Sequence, residues 1–187
     1  MRSFIAIDFD AAIRRQLAAT QDRLRHHCPS LRWVDPEKIH LTLKFLGEID
    51  DDQLEPVART LDELTRDCRS FDIAVRGLGV FGTPRSVRVV WVGLHEPQGF
   101  LARCHARCET LLLPLGFPKE NRPFRPHLTL ARNRSPRDSN DIRRAVEKHA
   151  NLNAGIQTVT SITLYQSTLT SDGPIYQPLS QHPFPDT

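Results

Sequence analysis

The tetrapeptide His-Leu-Thr-Leu occurs twice in this chain, at His40–Leu43 and at His127–Leu130, one copy in each half. An internal repeat of this kind asks for two comparable structural units. In both copies leucines alternate with His and Thr, the period of a strand with one apolar and one polar face. Each strand then offers an imidazole and a hydroxyl on its polar face, roughly 7 Å apart along the backbone. If the two units pack with those faces opposed, the result is a cleft holding His40, Thr42, His127 and Thr129.

The rest of the chain fits such a frame. Residues 3–9 alternate as a strand, and Asp10 caps a helix with Ile13, Leu17 and Leu24 on one face. Trp33 lies in an extended segment, and residues 39–45 form the first motif strand. Asp50–Asp52 supply capping carboxylates for a helix through Leu64, with Pro56 expected near its first turn. Residues 71–80 alternate and run into a glycine-punctuated turn, Gly77 to Pro84, from which 87–94 returns as an antiparallel strand. Residues 97–113 are helical, 124–131 form the second motif strand, and Ser139 or Asp141 caps a short helix. Strands at 158–165 and 175–179 follow, and the proline-rich end from Gln181 reads as a surface tail. Many hairpins and few helices point to a mixed, largely antiparallel α+β fold. At 187 residues with 39% hydrophobic and 25% charged side chains, one domain spanning 1–187 and made of two lobes is expected, with a monomer as the default.

Paired histidines with paired hydroxyls suit phosphodiester chemistry. Opening a cyclic phosphate by water needs a base for the water proton and an acid for the departing ribose oxygen. Imidazole serves either role near neutrality. Threonine hydroxyls can donate to the non-bridging oxygens where charge builds, so this chemistry asks for no metal or cofactor. A His and a Thr on a solvated strand face are ordinary when met once; chance recurrence of the pattern is expected in on the order of a few per thousand chains. Zinc would want at least three protein ligands, which neither motif supplies. Cys104, His105 and Cys108 are close in sequence, but the two cysteines fall on the apolar stripe of their helix and read as core.

A run of arginines (Arg122, Arg125, Arg132, Arg134, Arg137, Arg143, Arg144) brackets the second motif. Strict alternation puts Arg125 on the face of His127, as a bidentate phosphate ligand, and Arg132 on the opposite face or in a loop. Lys44 takes the mirror position beside the first motif. The formal charge of +3 and a sequence pI near 8.8 permit a polyanionic partner. Free cysteines and the absence of an export signal or a long apolar run place the expected protein in the cytoplasm, off the membrane.

The extended motifs His40-Leu41-Thr42-Leu43-Lys44-Phe45-Leu46-Gly47 and Phe124-Arg125-Pro126-His127-Leu128-Thr129-Leu130-Ala131-Arg132 resemble those of the 2H phosphoesterases. More narrowly they resemble bacterial and archaeal RNA 2′,3′-cyclic phosphodiesterases, the 2′-5′ RNA ligase-like family. The opening Arg2–Ile7 and the Gly77–Phe81 segment are similar to that family too, although Gly82 stands where relatives often carry proline. The resemblance implies a bilobal fold of pseudo-twofold symmetry, two mainly antiparallel sheets with helices outside, and a central basic cleft. It also implies hydrolysis of RNA 2′,3′-cyclic ends to 2′-phosphomonoesters, with 2′-5′ joining in some members. His40 would be the proton donor, His127 the acceptor that activates water, and Thr42 and Thr129 the phosphate clamps. The partner would be an RNA end or a cyclic nucleotide. Competing readings are a non-catalytic RNA-end-binding module, or the same chemistry on a 2′-5′ oligoadenylate or a cyclic phosphate of ADP-ribose.

Overall fold

The computed structural model describes residues 1–135, 138–171 and 173–185; Arg137 of the arginine run lies outside them. The elements in order are β1 (Arg2–Asp8), α1 (Ala11–Arg25), β2 (Arg32–Trp33), β3 (His40–Glu48), α2 (Asp51–Arg66), β4 (Phe71–Thr83), β5 (Ser86–His95), α3 (Phe100–Leu112), β6 (His127–Arg132), α4 (Ser139–Lys148), β7 (Asn153–Val159), β8 (Ser161–Thr170) and β9 (Gly173–Pro183). They form two antiparallel sheets, ordered β3-β1-β8-β9 and β2-β6-β5-β4-β7. The α+β, two-lobed expectation holds. Among the described residues no helix is long and apolar enough to cross a membrane.

The helices start where side chains satisfy their first amides. Asp10 accepts from Ile13 N at 2.8 Å. Asp50 and Gln53 form a reciprocal capping box at the head of α2. Pro56 falls in the second turn of α2, one turn deeper than expected. At α4 the expected cap is absent: Ser139 instead accepts from the Val87 amide at 3.0 Å, tying the helix to β5, and Asp141 lies in the first turn.

The lobes are not the two halves of the sequence. A β-α-β-α order runs twice, as β1-α1-β3-α2 and β5-α3-β6-α4, but the strands that complete each sheet are exchanged. Strand β4 pairs with β5 in the second sheet, while β8 returns to pair with β1 in the first. The helices cross as well: α3 packs on β3 of the first sheet, and α1 packs on β7 of the second. Residues 158–165, expected as one strand, divide at Thr160 between β7 and β8, where the chain passes from one sheet to the other. Its end is no tail. Gln181 to Pro183 belong to β9, Phe184 is buried and stacks on Phe71, and His182 is buried with Nδ1 2.6 Å from Asp62.

Each motif strand breaks its alternation at the same place. Ala6 pairs with Thr42 and Ile5 with Lys44, so Leu43 is an extra residue in the ladder. Trp91 pairs with Thr129 and Val90 with Ala131, so Leu130 is the equivalent extra residue. Such bulges reverse the facing of everything that follows. Lys44 is therefore not in the cleft: it is 1% exposed and donates to Glu109 Oε1 of α3 at 2.7 Å and to the Pro118 carbonyl at 2.8 Å. Removing one partner of a buried pair strands the other charge. Lys44→Met is expected to lower the unfolding free energy by about 3–5 kcal/mol, and Lys44→Met/Glu109→Leu to recover much of that in urea denaturation. A single variant as stable as the parent would contradict the pairing.

Candidate active site

Strands β3 and β6 meet across the interface of the two sheets, and His40, Thr42, His127 and Thr129 all line one cavity of about 600 Å³ between them. Short N-terminal segments fix each imidazole. A turn over Pro36–Lys38, begun by Asp35, brings the Lys38 carbonyl 2.8 Å from His40 Nδ1. The Arg125 carbonyl stands 2.7 Å from His127 Nδ1. A carbonyl can only accept, so in both rings Nδ1 donates and Nε2 is the nitrogen left free to meet a substrate.

The surroundings of the two rings differ. His40 stacks on Phe4 at 4.8 Å and meets the edge of Tyr176 at 5.2 Å, while Tyr165 lies 5.3 Å from Phe4 and 6.5 Å from His40. Burial lowers the His40 pKa below the ordinary imidazole value, opposed by the Lys38 carbonyl and the Asp8 carboxylate and assisted by Arg14. Asp8 pairs opposite His40 in the ladder and accepts from Tyr165 and Thr163 at 2.8 and 2.9 Å. Burial and the bond to Asp8 raise the Tyr165 pKa, opposed by Arg14 and Thr163. His127 meets the edge of Phe81 at 4.8 Å, and Phe81 in turn packs on Trp91 at 5.2 Å. Gly79 sits opposite Trp91 and has no side chain because that ring occupies the space: a Cβ there would lie 2.2 Å from it.

Two expected phosphate ligands are elsewhere. Arg125 precedes β6, is exposed, and contributes its carbonyl rather than its guanidinium; strand geometry begins only at His127, so counting back by two does not hold. Lys44 is buried behind the sheet, as described above. The bulges deliver Phe45 and Arg132 to the cavity in their stead. Phe45 is 57% exposed despite its apolar ring, and Arg132 and Arg2 both act on Tyr176, whose pKa burial raises and the two cations lower. The signal for this was present in the sequence: Leu130-Ala131 are consecutive apolar residues that strict alternation cannot seat. Arg2, Arg32, Trp33 and Arg134 also line the cavity; Arg134 belongs to the arginine run and Arg2 to the opening segment, but no local pattern marks any of the four as facing the cleft. Cys104 and Cys108 are buried in the core, and His105 stacks on Phe124 at 3.9 Å. Among the described residues no three His, Cys, Asp or Glu side chains gather as a metal ion would require.

Two sheets of exchanged strands, with an HxTx strand from each meeting at one cavity, define a phosphoesterase of two-histidine type by architecture. The family model described as "LigT like Phosphoesterase" matches this chain twice in tandem, at residues 7–91 and 92–176. The chain is 33% identical over 176 residues to an RNA 2′,3′-cyclic phosphodiesterase of Methanothermobacter thermautotrophicus, covering 94% of this chain and 95% of that one. An RNA 2′,3′-cyclic phosphodiesterase of Aeropyrum pernix is 37% identical over 166 residues, covering 88% and 92%. Among solved structures, TT0787 of Thermus thermophilus superposes with a TM-score of 0.81 at 28% identity, covering 98% of both chains. E. coli LigT complexed with 3′-AMP does so at 0.77 and 28%, covering 99% of this chain and 98% of that one. The chain belongs to the LigT-like phosphoesterase family.

Replacing Gly79 tests the chain of contacts behind His127. Gly79→Val must displace Trp91 and with it Phe81, an overpacking expected to cost about 1–3 kcal/mol. The imidazole resonances of His127 should shift in NMR spectra while those of His40 hold. An unmoved His127 would mean that Phe81 does not position it.

Proposed function

We propose that this protein hydrolyses the 2′,3′-cyclic phosphate at an RNA end to a 2′-phosphomonoester, with His40 and His127 as the acid–base pair. The observation that carries the reading is the matched setting of the two imidazoles: one cavity, one on each sheet, each with Nδ1 on a carbonyl two residues upstream. The curated relatives named for this activity, which align over nearly the whole chain, support it, as does the 3′-AMP bound by the E. coli relative.

In this mechanism His127 Nε2 takes a proton from water as the water oxygen attacks phosphorus. The bond from phosphorus to O3′ breaks in line, and His40 Nε2 delivers a proton to that oxygen, leaving the phosphate on O2′. The hydroxyls of Thr42 and Thr129 donate to the non-bridging oxygens, and Arg132 offers a planar fork to the same anion. Phe45 and Tyr176 provide aromatic surface for a nucleobase. With the 5′-hydroxyl of a second RNA in place of water, the same displacement makes a 2′-5′ join.

Purified protein treated with a chelator should open adenosine 2′,3′-cyclic phosphate to the 2′-monophosphate, identified by chromatography against both isomers. His40→Ala and His127→Ala should each lose at least about 10²-fold in kcat, the lower end of what a positioned acid or base contributes. Near-parental turnover in either variant would remove that residue from the mechanism.

The pH profile follows from the His40 environment. As proton donor His40 must be protonated, and its free-enzyme pKa lies below the ordinary value of about 6.5. Hence kcat/KM, which reports the free enzyme, should fall as pH rises through a pKa below 6.5. A bound anion favours the imidazolium, so the corresponding limb of kcat should lie at higher pH. A rate that instead rises through this low pKa, and does so only when His40 is present, would make His40 the base.

A further inference from the structure

The chain has four free cysteines, and none of them lines the histidine cleft. Cys28, Cys104 and Cys108 are buried, whereas Cys68 is half-buried. Cys68 lies just beyond the end of α2, and Cys104 lies within α3. Packing of α2 on α3 brings both to the wall of one cavity of about 380 Å³. That cavity shares no lining residue with the histidine cleft.

The two sulfurs are chemically unequal. A hydrogen bond between them lowers the Cys68 pKa and raises that of Cys104, so the shared proton rests on Cys104 and the negative charge on Cys68. Burial and Asp67 oppose the shift at Cys68, and Arg107 assists it. Arg107 is paired to Asp67 at 2.6 Å, and Arg69 and Arg103 line the same cavity. As a thiol, Cys68 donates to the Leu64 carbonyl at 3.2 Å, which holds its sulfur at the helix end. The other two cysteines are less reactive by environment: burial pushes the Cys108 thiol up to about 12, and burial with Asp141 and Asp138 raises that of Cys28. Only the thiolate is a strong nucleophile. A partly exposed sulfur that ionises readily, beside a buried second thiol, is the arrangement of a peroxide-responsive pair.

We propose that Cys68 and Cys104 form an oxidisable dithiol, which a hydroperoxide converts to a disulfide joining α2 to α3. The Cys68 thiolate attacks one peroxide oxygen, the O–O bond breaks, and hydroxide leaves; sulfur is oxidised to the sulfenic acid and the peroxide is reduced. Cys104 then gives up its proton and attacks the Cys68 sulfur. The S–S bond forms as the S–O bond breaks, and water leaves. A small dithiol reverses the bond by exchange and is itself oxidised to its disulfide. Both helices cover the sheet that carries His40, α2 on β8 and β9 and α3 on β3, so the bond ties that covering into one layer. Nothing in this chemistry depends on the reaction at the histidines.

The reduced protein is exposed to a small excess of hydrogen peroxide, alkylated with N-ethylmaleimide under denaturing conditions, and mapped by peptide mass spectrometry without reduction. Cys68 and Cys104 should lose alkylation in equal amounts, and a linked peptide lighter by two hydrogens should account for the loss. Dithiothreitol should restore both thiols, and Cys28 and Cys108 should stay alkylated throughout. Cys104→Ala, which lacks the second thiol, should instead accumulate a sulfenic acid at Cys68 that dimedone traps. If that variant does not fold, Cys68→Ser keeps a readout: Cys104 should then resist the same dose of peroxide. A parent that resists oxidation, that oxidises Cys68 without any linked peptide, that pairs other cysteines, or that oxidises all four equally would overturn the dithiol.

Discussion

One extra residue in each motif strand determines what the cleft contains. Regular alternation through Leu43 would point Lys44 at the substrate space and bury Phe45; the bulge does the reverse, and the same inversion at Leu130 buries Ala131 and brings Arg132 forward. A bulge leaves ladder groups without their strand partner, and a buried carbonyl must find another donor. At Leu130 the carbonyl accepts from Val34 N at 2.9 Å and from Gln21 Nε2 at 3.1 Å. At Leu43 the next side chain, Lys44, is held by Glu109.

Those two props come from corresponding helices. Gln21 lies on α1, which leaves the first β-α-β-α unit to cover the second sheet; Glu109 lies on α3, which does the opposite. Each unit therefore braces the bulge of the other with a buried polar side chain. The exchange of β4 and β8 works in the same direction, since neither sheet is complete without strands from both units. For two imidazoles on separate sheets this matters, because catalytic groups must keep their mutual position to well within an ångström. Interlocked units resist the hinge opening that two simply abutting lobes would permit.

The two motifs were legible because a repeated four-residue pattern carries its own control: the second copy tells which features of the first are accidental. The α+β class was legible from hairpin signals and helix caps. What escaped was decided by neighbours rather than by local pattern. Lys44 turns inward because Glu109, far away in sequence, awaits it. Arg125 misses the cleft because the strand starts later than its apolar pattern suggests. Pro183 and Pro185 made the chain from Gln181 look like a tail, yet Pro183 ends β9, an edge strand, where proline need not donate to a ladder. Arg32 belongs to a segment without any motif, nothing in the Arg2–Ile7 segment or the arginine run marked Arg2 or Arg134 as facing the cleft, and only the sheet order brings the three to one cavity.

The setting of His40 resolves an apparent conflict in the proposed mechanism. A proton donor with a lowered pKa holds its proton less readily before substrate arrives, in a wall of Phe4 and Tyr176 that disfavours charge. The cyclic phosphate changes that balance, because an anion beside a desolvated imidazole acts through a low dielectric and favours the imidazolium strongly. Asp8, held by Tyr165 and Thr163 and paired with His40 in the ladder, pulls in the same direction. In that mechanism substrate binding would load the acid, and loss of the anion would unload it. A histidine with an unshifted pKa would be partly protonated in the empty cleft, where its charge would add to the surrounding arginines. Burying His40 in aromatic carbon disfavours that charge in the empty cleft, and in the proposed mechanism the bound anion restores it where O3′ is to receive the proton.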